Sequence, residues 1–247
     1  MRRLRMRSST ISVFSLRGLA LSGIALALAG CAGQSYRTMS DPQLQAAYQA
    51  AVQDAAVAEP GEISRNLTAI VPGNRALVWD NDQSHVLMVT WTAWNGYDTQ
   101  VDTDQQLSRE IWVTAAPQLQ QFCRKNSDAL RLEQLLGLPP HNGKTRFVEL
   151  WVQPKDMFRP APDSEISDHE AEVDFPSSPY IAISNEYKAW FNQLRASSYG
   201  DKGYPWTRLG YTYDWGSASH VGLSEFVIRP GATVHVKGVV ENAAYCH

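Results

Sequence analysis

His85-Val86-Leu87-Met88-Val89-Thr90-Trp91-Thr92-Ala93-Trp94 and Thr145-Arg146-Phe147-Val148-Glu149-Leu150-Trp151-Val152-Gln153 are the two stretches that decide the fold. Both are dense in branched and aromatic residues and both alternate with a period of two, which is the signature of strands with two distinct faces. In the second, Phe147, Glu149 and Trp151 share one face, so Glu149 is expected among aromatic rings.

Working outward, Ala76-Leu77-Val78-Trp79 and Arg109 to Thr114 read as further strands, and three more close the chain: Thr207 to Asp214, Val221 to Ile228 and Thr233 to Val240. Asn95-Gly96 carries the strongest local turn chemistry, because both residues accept positive φ, and predicts a hairpin returning toward Gln100-Val101. Pro230-Gly231 predicts a turn between the last two strands. Helices are expected between these groups. Ser40-Asp41-Pro42 opens one that runs through Leu44, Tyr48 and Val52 toward Ala58. Pro117 opens a second with Leu119, Phe122 and Cys123, Ser127-Asp128 caps a third ending at Gly137, and Ser184 caps a fourth with Tyr187, Trp190, Phe191 and Leu194 on one stripe. Strands in adjacent groups with helices clustered between them predict a single α+β domain, a largely antiparallel sheet with several helices on one side.

The first thirty residues carry a different message. Arg2, Arg3, Arg5 and Arg7 precede the apolar run Gly18 to Leu28, which is too short for a membrane span and has the layout of an export signal. Its end, Leu28-Ala29-Gly30-Cys31, resembles the lipobox of bacterial lipoproteins. The resemblance implies that residues 1–30 are a signal peptide, that Cys31 is acylated and becomes the first residue, and that the protein is held on a lipid bilayer by its fatty acids. Ala32, where retained lipoproteins of Gram-negative cells often carry Asp, favours an outer-membrane anchor facing the periplasm over the inner membrane or the cell surface. Residues 31–39 then form a short tether and residues 40–247 the periplasmic domain.

Removing residues 1–30 from the 247 leaves a length that one domain can bury well, with seventeen basic against twenty-five acidic residues. That balance argues against nucleic acid as a partner and leaves membrane attachment to the acyl chains. Cys123 and Cys246 remain as an even pair in a compartment that permits disulfides, and a bridge between them would pin the C-terminus.

No catalytic signature stands out. Gly216-Ser217-Ala218-Ser219-His220 and Gly222-Leu223-Ser224-Glu225-Phe226 both miss the Gly-x-Ser-x-Gly elbow, His-Glu-x-x-His is absent, and so are the glycine-rich phosphate loops. Six histidines, His85, His141, His169, His220, His235 and His247, are scattered. Two features carry candidate chemistry. Residues 154–180 form a long proline-punctuated acidic loop in which Asp163, Glu165, Asp168 and Glu170 could supply oxygen ligands to calcium, although the EF-hand spacing is missing. Tyr199 to Trp215 is the densest aromatic stretch, and Tyr204, Trp206, Arg208, Tyr211, Tyr213 and Trp215 could line a glycan or peptide groove. Arg159 and Arg208 are candidate anion contacts, with ion pairs to Glu149 or Asp214 as the structural alternative.

The expectation is a lipoprotein whose domain has a non-enzymatic binding or structural role toward an envelope glycan or protein. The alternative is a membrane-anchored hydrolase, carboxylate- or metal-dependent, that would set two of Glu149, Asp156, Asp163 and Asp168 about 5–10 Å apart beside Trp206 or Trp215.

Overall fold

A computed structural model describes residues 36–178 and 182–247. The signal segment 1–30, Cys31 and the tether residues 32–35 lie outside the described residues. From Tyr36 onward the chain is one compact α+β unit. Its strands are β1 (Val86–Thr92), β2 (Asp104–Gln106), β3 (Ile111–Ala115), β4 (Arg146–Val152), β5 (Met157–Phe158), β6 (Tyr211–Tyr213), β7 (Val221–Ile228) and β8 (Thr233–Glu241). Its helices are α1 (Asp41–Asp54), α2 (Ala116–Lys125), α3 (Ala129–Leu135), α4 (Asn185–Ser197) and α5 (Asn242–Tyr245). Every pairing is antiparallel, in the order β2-β8-β4-β1-β3-β7-β5, with β6 added on β7.

The period-two pattern explains how the sheet is covered. Alternate residues Val86, Met88, Val113, Ala115, Val148, Leu150, Val152, Phe226, Ile228, Val234 and Val236 all project into one apolar cluster. The connections close that cluster, through Ile70, Leu77, Tyr97 and Leu107. The sheet curls around it. β7 and β8 are four positions apart in the sheet, roughly 19 Å if flat, yet only Arg229–Ala232 joins them, a reach of roughly 17 Å at full extension.

The opposite face, with Leu87, Val89, Trp91, Trp112, Phe147, Phe158 and Val227, carries the helices in two groups. α2, α3 and α5 cover β1 and β4, while α4 covers β5 and β7. α3 starts where expected, the Asp128 carboxylate accepting from the Leu130 N–H at 3.0 Å. In α1, Gln43 Oε1 accepts from the Ser40 N–H at 2.8 Å. Cys123 and Cys246 stand at disulfide distance, Cα–Cα 4.8 Å. Beside them the Tyr245 ring stacks on Phe147 at 4.2 Å and its hydroxyl donates to the Ala116 carbonyl, so packing and bridge pin the same tail.

Three local expectations give way to tertiary contacts. Asn95-Gly96 makes no hairpin: Asn95 keeps φ at −94°, Gly96–Thr99 winds into one 3-10 turn, and β1 pairs with β3 and β4. Burial of Tyr97 in the inner cluster decides this, with Trp94 edge-on against it at 4.8 Å, and a Cβ at Gly96 would strike the Trp94 ring. Ala76–Trp79 is a turn with a single bridge from Trp79 to Val86. Only Tyr211–Tyr213 of the expected Thr207–Asp214 strand is extended, because Arg208 at φ 61° and Gly210 at φ 76° bend the chain before it. Gly231 at φ 83° turns the chain as expected, but β7 and β8 do not pair with each other. Of the tether, Tyr36 is already docked, its ring edge-on to Trp215 at 5.6 Å.

The acidic loop is an ordered structure wrapped around one cation. Arg159 is fully buried; its Nη1 donates to Asp168 Oδ1 at 2.9 Å and to the Glu170 carbonyl at 2.6 Å, and its Nη2 to the Asp168 carbonyl at 3.0 Å. Gly210 makes room for this side chain, since a Cβ there would lie 2.5 Å from Arg159 Cδ. The loop is also sewn to residues 67–70, Leu67 N–H donating to the His169 carbonyl and Ile70 N–H to the Ile166 carbonyl.

Candidate functional site

Where the two helix groups part, the sheet floor is left open. The gap is a cavity of about 420 Å³, floored by Val89, Trp91, Trp112, Thr114 and Glu225 of β1, β3 and β7. Its walls are Leu119 of α2, Leu136–Leu138 after α3, Leu194 and Ser198 from α4 and its cap, and Tyr204–Trp206. A largely apolar concavity with few polar groups is the form a small-molecule site takes.

The indole N–H groups around it point to other acceptors: Trp91 to Asn242 Oδ1 at 2.8 Å, Trp112 to Glu110 Oε1 at 3.3 Å and Trp206 to the Pro160 carbonyl at 3.2 Å. The rings therefore present carbon surface to the cavity. Two buried oxygens in the lining have no partner, Thr114 Oγ1 and Glu225 Oε1, and these residues are register partners on adjacent strands. Cross-strand partners bring their Cβ atoms within roughly 5 Å, so the two residues are neighbours on the floor. Burial pushes the Glu225 carboxyl up from 4.5 to about 8, since a carboxylate in apolar surroundings has lost water and gained no donor. At neutral pH it is chiefly the protonated acid. Lys144, the cation in the lining, is held at 3.0 Å by the Trp91 carbonyl, and burial lowers its pKa.

The expected aromatic groove is divided by the fold. Tyr204, Trp206 and Tyr213 line the Glu225 cavity, and Tyr204 is the exposed one, at 55%. Tyr211 and Tyr213 border a second cleft of about 690 Å³ with Ser64, Arg65, His220 and Ser224. Arg208 and Trp215 line neither: Arg208 donates to the Ala56 carbonyl at 2.9 Å and Trp215 Nε1 to the Leu138 carbonyl at 3.0 Å. A continuous row of exposed rings is absent because the bend at Arg208–Gly210 turns alternate rings into different parts of the core.

The carboxylates considered for hydrolysis are likewise dispersed. Glu149 pairs with Lys237 at 2.7 Å and Asp168 with Arg159, Asp214 is held by Arg131 at 2.6 Å, and none of Glu149, Asp156, Asp163 and Asp168 lines either cavity. In the loop, Asp163 and Glu165 accept from nearby backbone N–H groups and Glu170 lies 3.6 Å from Arg65, so the four expected calcium ligands point to different neighbours. Among the described residues the grouping that could hold a metal is Asp80, Asp82 and His85, with one ligand atom from each within 4.8 Å of the others.

Sequence reasoning found the wall residues Tyr204 and Trp206 and missed the floor, Glu225, Thr114 and Trp112. A signal was present: in Val221–Ile228 apolar residues occupy both faces, so an acid between Ser224 and Phe226 had no solvent-facing position to take. No family model matches the chain, and neither a curated protein nor a solved structure matches it.

Proposed function

We propose that this is a lipoprotein of the bacterial outer membrane, anchored through Cys31 and facing the periplasm, whose domain binds a small ligand in the cavity floored by Glu225. The anchor rests on Leu28-Ala29-Gly30-Cys31 and on an acidic body that an anionic bilayer would repel. The binding role rests on one observation: a buried carboxyl oxygen without a partner at the base of an apolar cavity. Such a group costs stability, and a ligand that satisfies it recovers that cost.

The test is uptake of the neutral fluorophore N-phenyl-1-naphthylamine by the full chain and by Leu136→Trp, which fills the cavity from its wall. One probe per chain in the parent and none in a folded Leu136→Trp is the expected result; equal uptake by both overturns the assignment. For the anchor, labelled palmitate is expected in the parent and not in Cys31→Ala. Calcium, expected at Asp163, Glu165, Asp168 and Glu170, has the grouping of Asp80, Asp82 and His85 as its other candidate site, and loss of its uptake in Asp82→Asn but not Glu165→Gln, by equilibrium dialysis, would assign it there.

A further inference from the structure

We propose that the ligand is an ammonium cation on a compact apolar body, with Glu225 Oε1 as its counter-ion and Thr114 Oγ1 as its second acceptor. The inference rests on the cavity being the binding site and adds the chemistry of what fills it. The floor offers two unpartnered oxygens on neighbouring residues, while the indole N–H groups of Trp91, Trp112 and Trp206 are committed elsewhere. An anion would meet a like charge wherever Glu225 is ionised, whereas an N–H₃⁺ group has donors for both oxygens. The indole rings of the floor, Trp91 and Trp112, and of the wall, Trp206, belong to the side-chain class that attracts cations, and the remaining wall, Leu119, Leu136, Leu138 and Leu194, suits a hydrocarbon. Outside the signal the chain has eight more acidic than basic side chains, which draws cations toward it.

The other titratable groups facing this spot are already engaged. The Lys144 ammonium sits on the Trp91 carbonyl, the Tyr199 hydroxyl near Glu225 donates to the Trp206 carbonyl at 2.7 Å, and the Tyr213 hydroxyl donates to Asp54 at 2.6 Å. Tyr204 stands at the rim and is exposed. Glu225 is thus the group whose ionisation sets cation affinity. With its pKa about 8, the ionised fraction falls from about half at pH 8 to about one in a hundred at pH 6.

The experiment titrates the full chain with 2-phenylethylammonium and with its uncharged counterpart 2-phenylethanol, reading tryptophan fluorescence at pH 6 and 8 in the parent and in Glu225→Gln. The ammonium is expected to bind at least tenfold tighter than the alcohol at pH 8 and to weaken about 50-fold at pH 6, in proportion to the ionised fraction. The alcohol should hold steady across that range. Glu225→Gln should lose the preference for the cation and its dependence on pH. If the alcohol binds as tightly as the ammonium, or the preference survives in Glu225→Gln, the ligand class is wrong and the cavity remains a site. If neither compound binds, both the ligand class and the cavity assignment fall.

Discussion

Arg159 and Glu225 are both ionisable side chains taken out of water, and their surroundings differ in kind. Around Arg159 the chain has folded acceptors inward, two from backbone carbonyls and one from Asp168, so that two of the three guanidinium nitrogens are occupied. Burial lowers the Arg159 pKa, and the Asp168 charge opposes that shift. Around Glu225 nothing has moved in: its Oε1 is unpartnered and its carboxyl is displaced by burial alone. A buried charge with its own acceptors is a structural hub, because the loop cannot keep its path without it. A buried acid left without donors lowers stability, and such a group is informative because it marks where something from outside fits.

The difference is broken most directly at the hub. Arg159→Met keeps the volume and removes the donors, leaving the carbonyls of Asp168 and Glu170 unpaired. Loss of about 2–3 kcal/mol is expected, because two backbone carbonyls lose their donor while Asp168, 43% exposed, is left to water, together with rapid proteolysis within residues 163–172. An unchanged urea midpoint would show that the loop is held by its contacts with residues 67–70 instead. The opposite substitution carries the opposite sign. The folded Glu225 pKa of about 8 lies above the unfolded value of 4.5, so between those limits the unfolded chain releases a proton that the folded chain keeps. Parent stability therefore falls by about 1.4 kcal/mol per pH unit over that window. Glu225→Gln does not titrate, and it should exceed the parent by about 3 kcal/mol at pH 7 and match it below pH 4.5. A pH-independent difference in urea unfolding would mean that Glu225 is solvated or paired.

These two sites also show what a sequence discloses. Strands β4, β7 and β8 were legible to within a residue because one face of each is filled by apolar residues of the inner cluster, so period-two alternation survives whatever the neighbours are. The helix starts at Asp128 and Ser184 were legible because a cap is a local hydrogen bond. Asn95-Gly96 misled because turn chemistry describes what two residues permit, while burial of Tyr97 determined what they do. Arg159 read as an anion contact or as the ion-pair partner of Glu149 or Asp214; its burial beside Asp168 depends on Gly210, fifty-one positions away, having no Cβ. The cavity was half legible. Its aromatic wall is a matter of composition, but its floor exists only through the pairing of Thr114 with Glu225 across two strands, and pairing register is not written in either strand alone.

Thr114 supplies the finest test of the comparison. Its hydroxyl is buried without a partner, so Thr114→Val exchanges an unsatisfied oxygen for a methyl of nearly the same shape. If the empty floor is as described, removing that oxygen costs no hydrogen bond. Stability should then rise by up to about 1 kcal/mol, the sign opposite to that expected on losing a satisfied hydroxyl. The same change takes away one of two acceptors for an ammonium, so affinity for 2-phenylethylammonium at pH 8 should drop about threefold to tenfold while that for 2-phenylethanol hardly moves. A destabilised Thr114→Val would instead mean that the hydroxyl already bonds to Glu225. The two oxygens would then satisfy each other as Arg159 and Asp168 do, and the floor of the cavity would be a second structural hub.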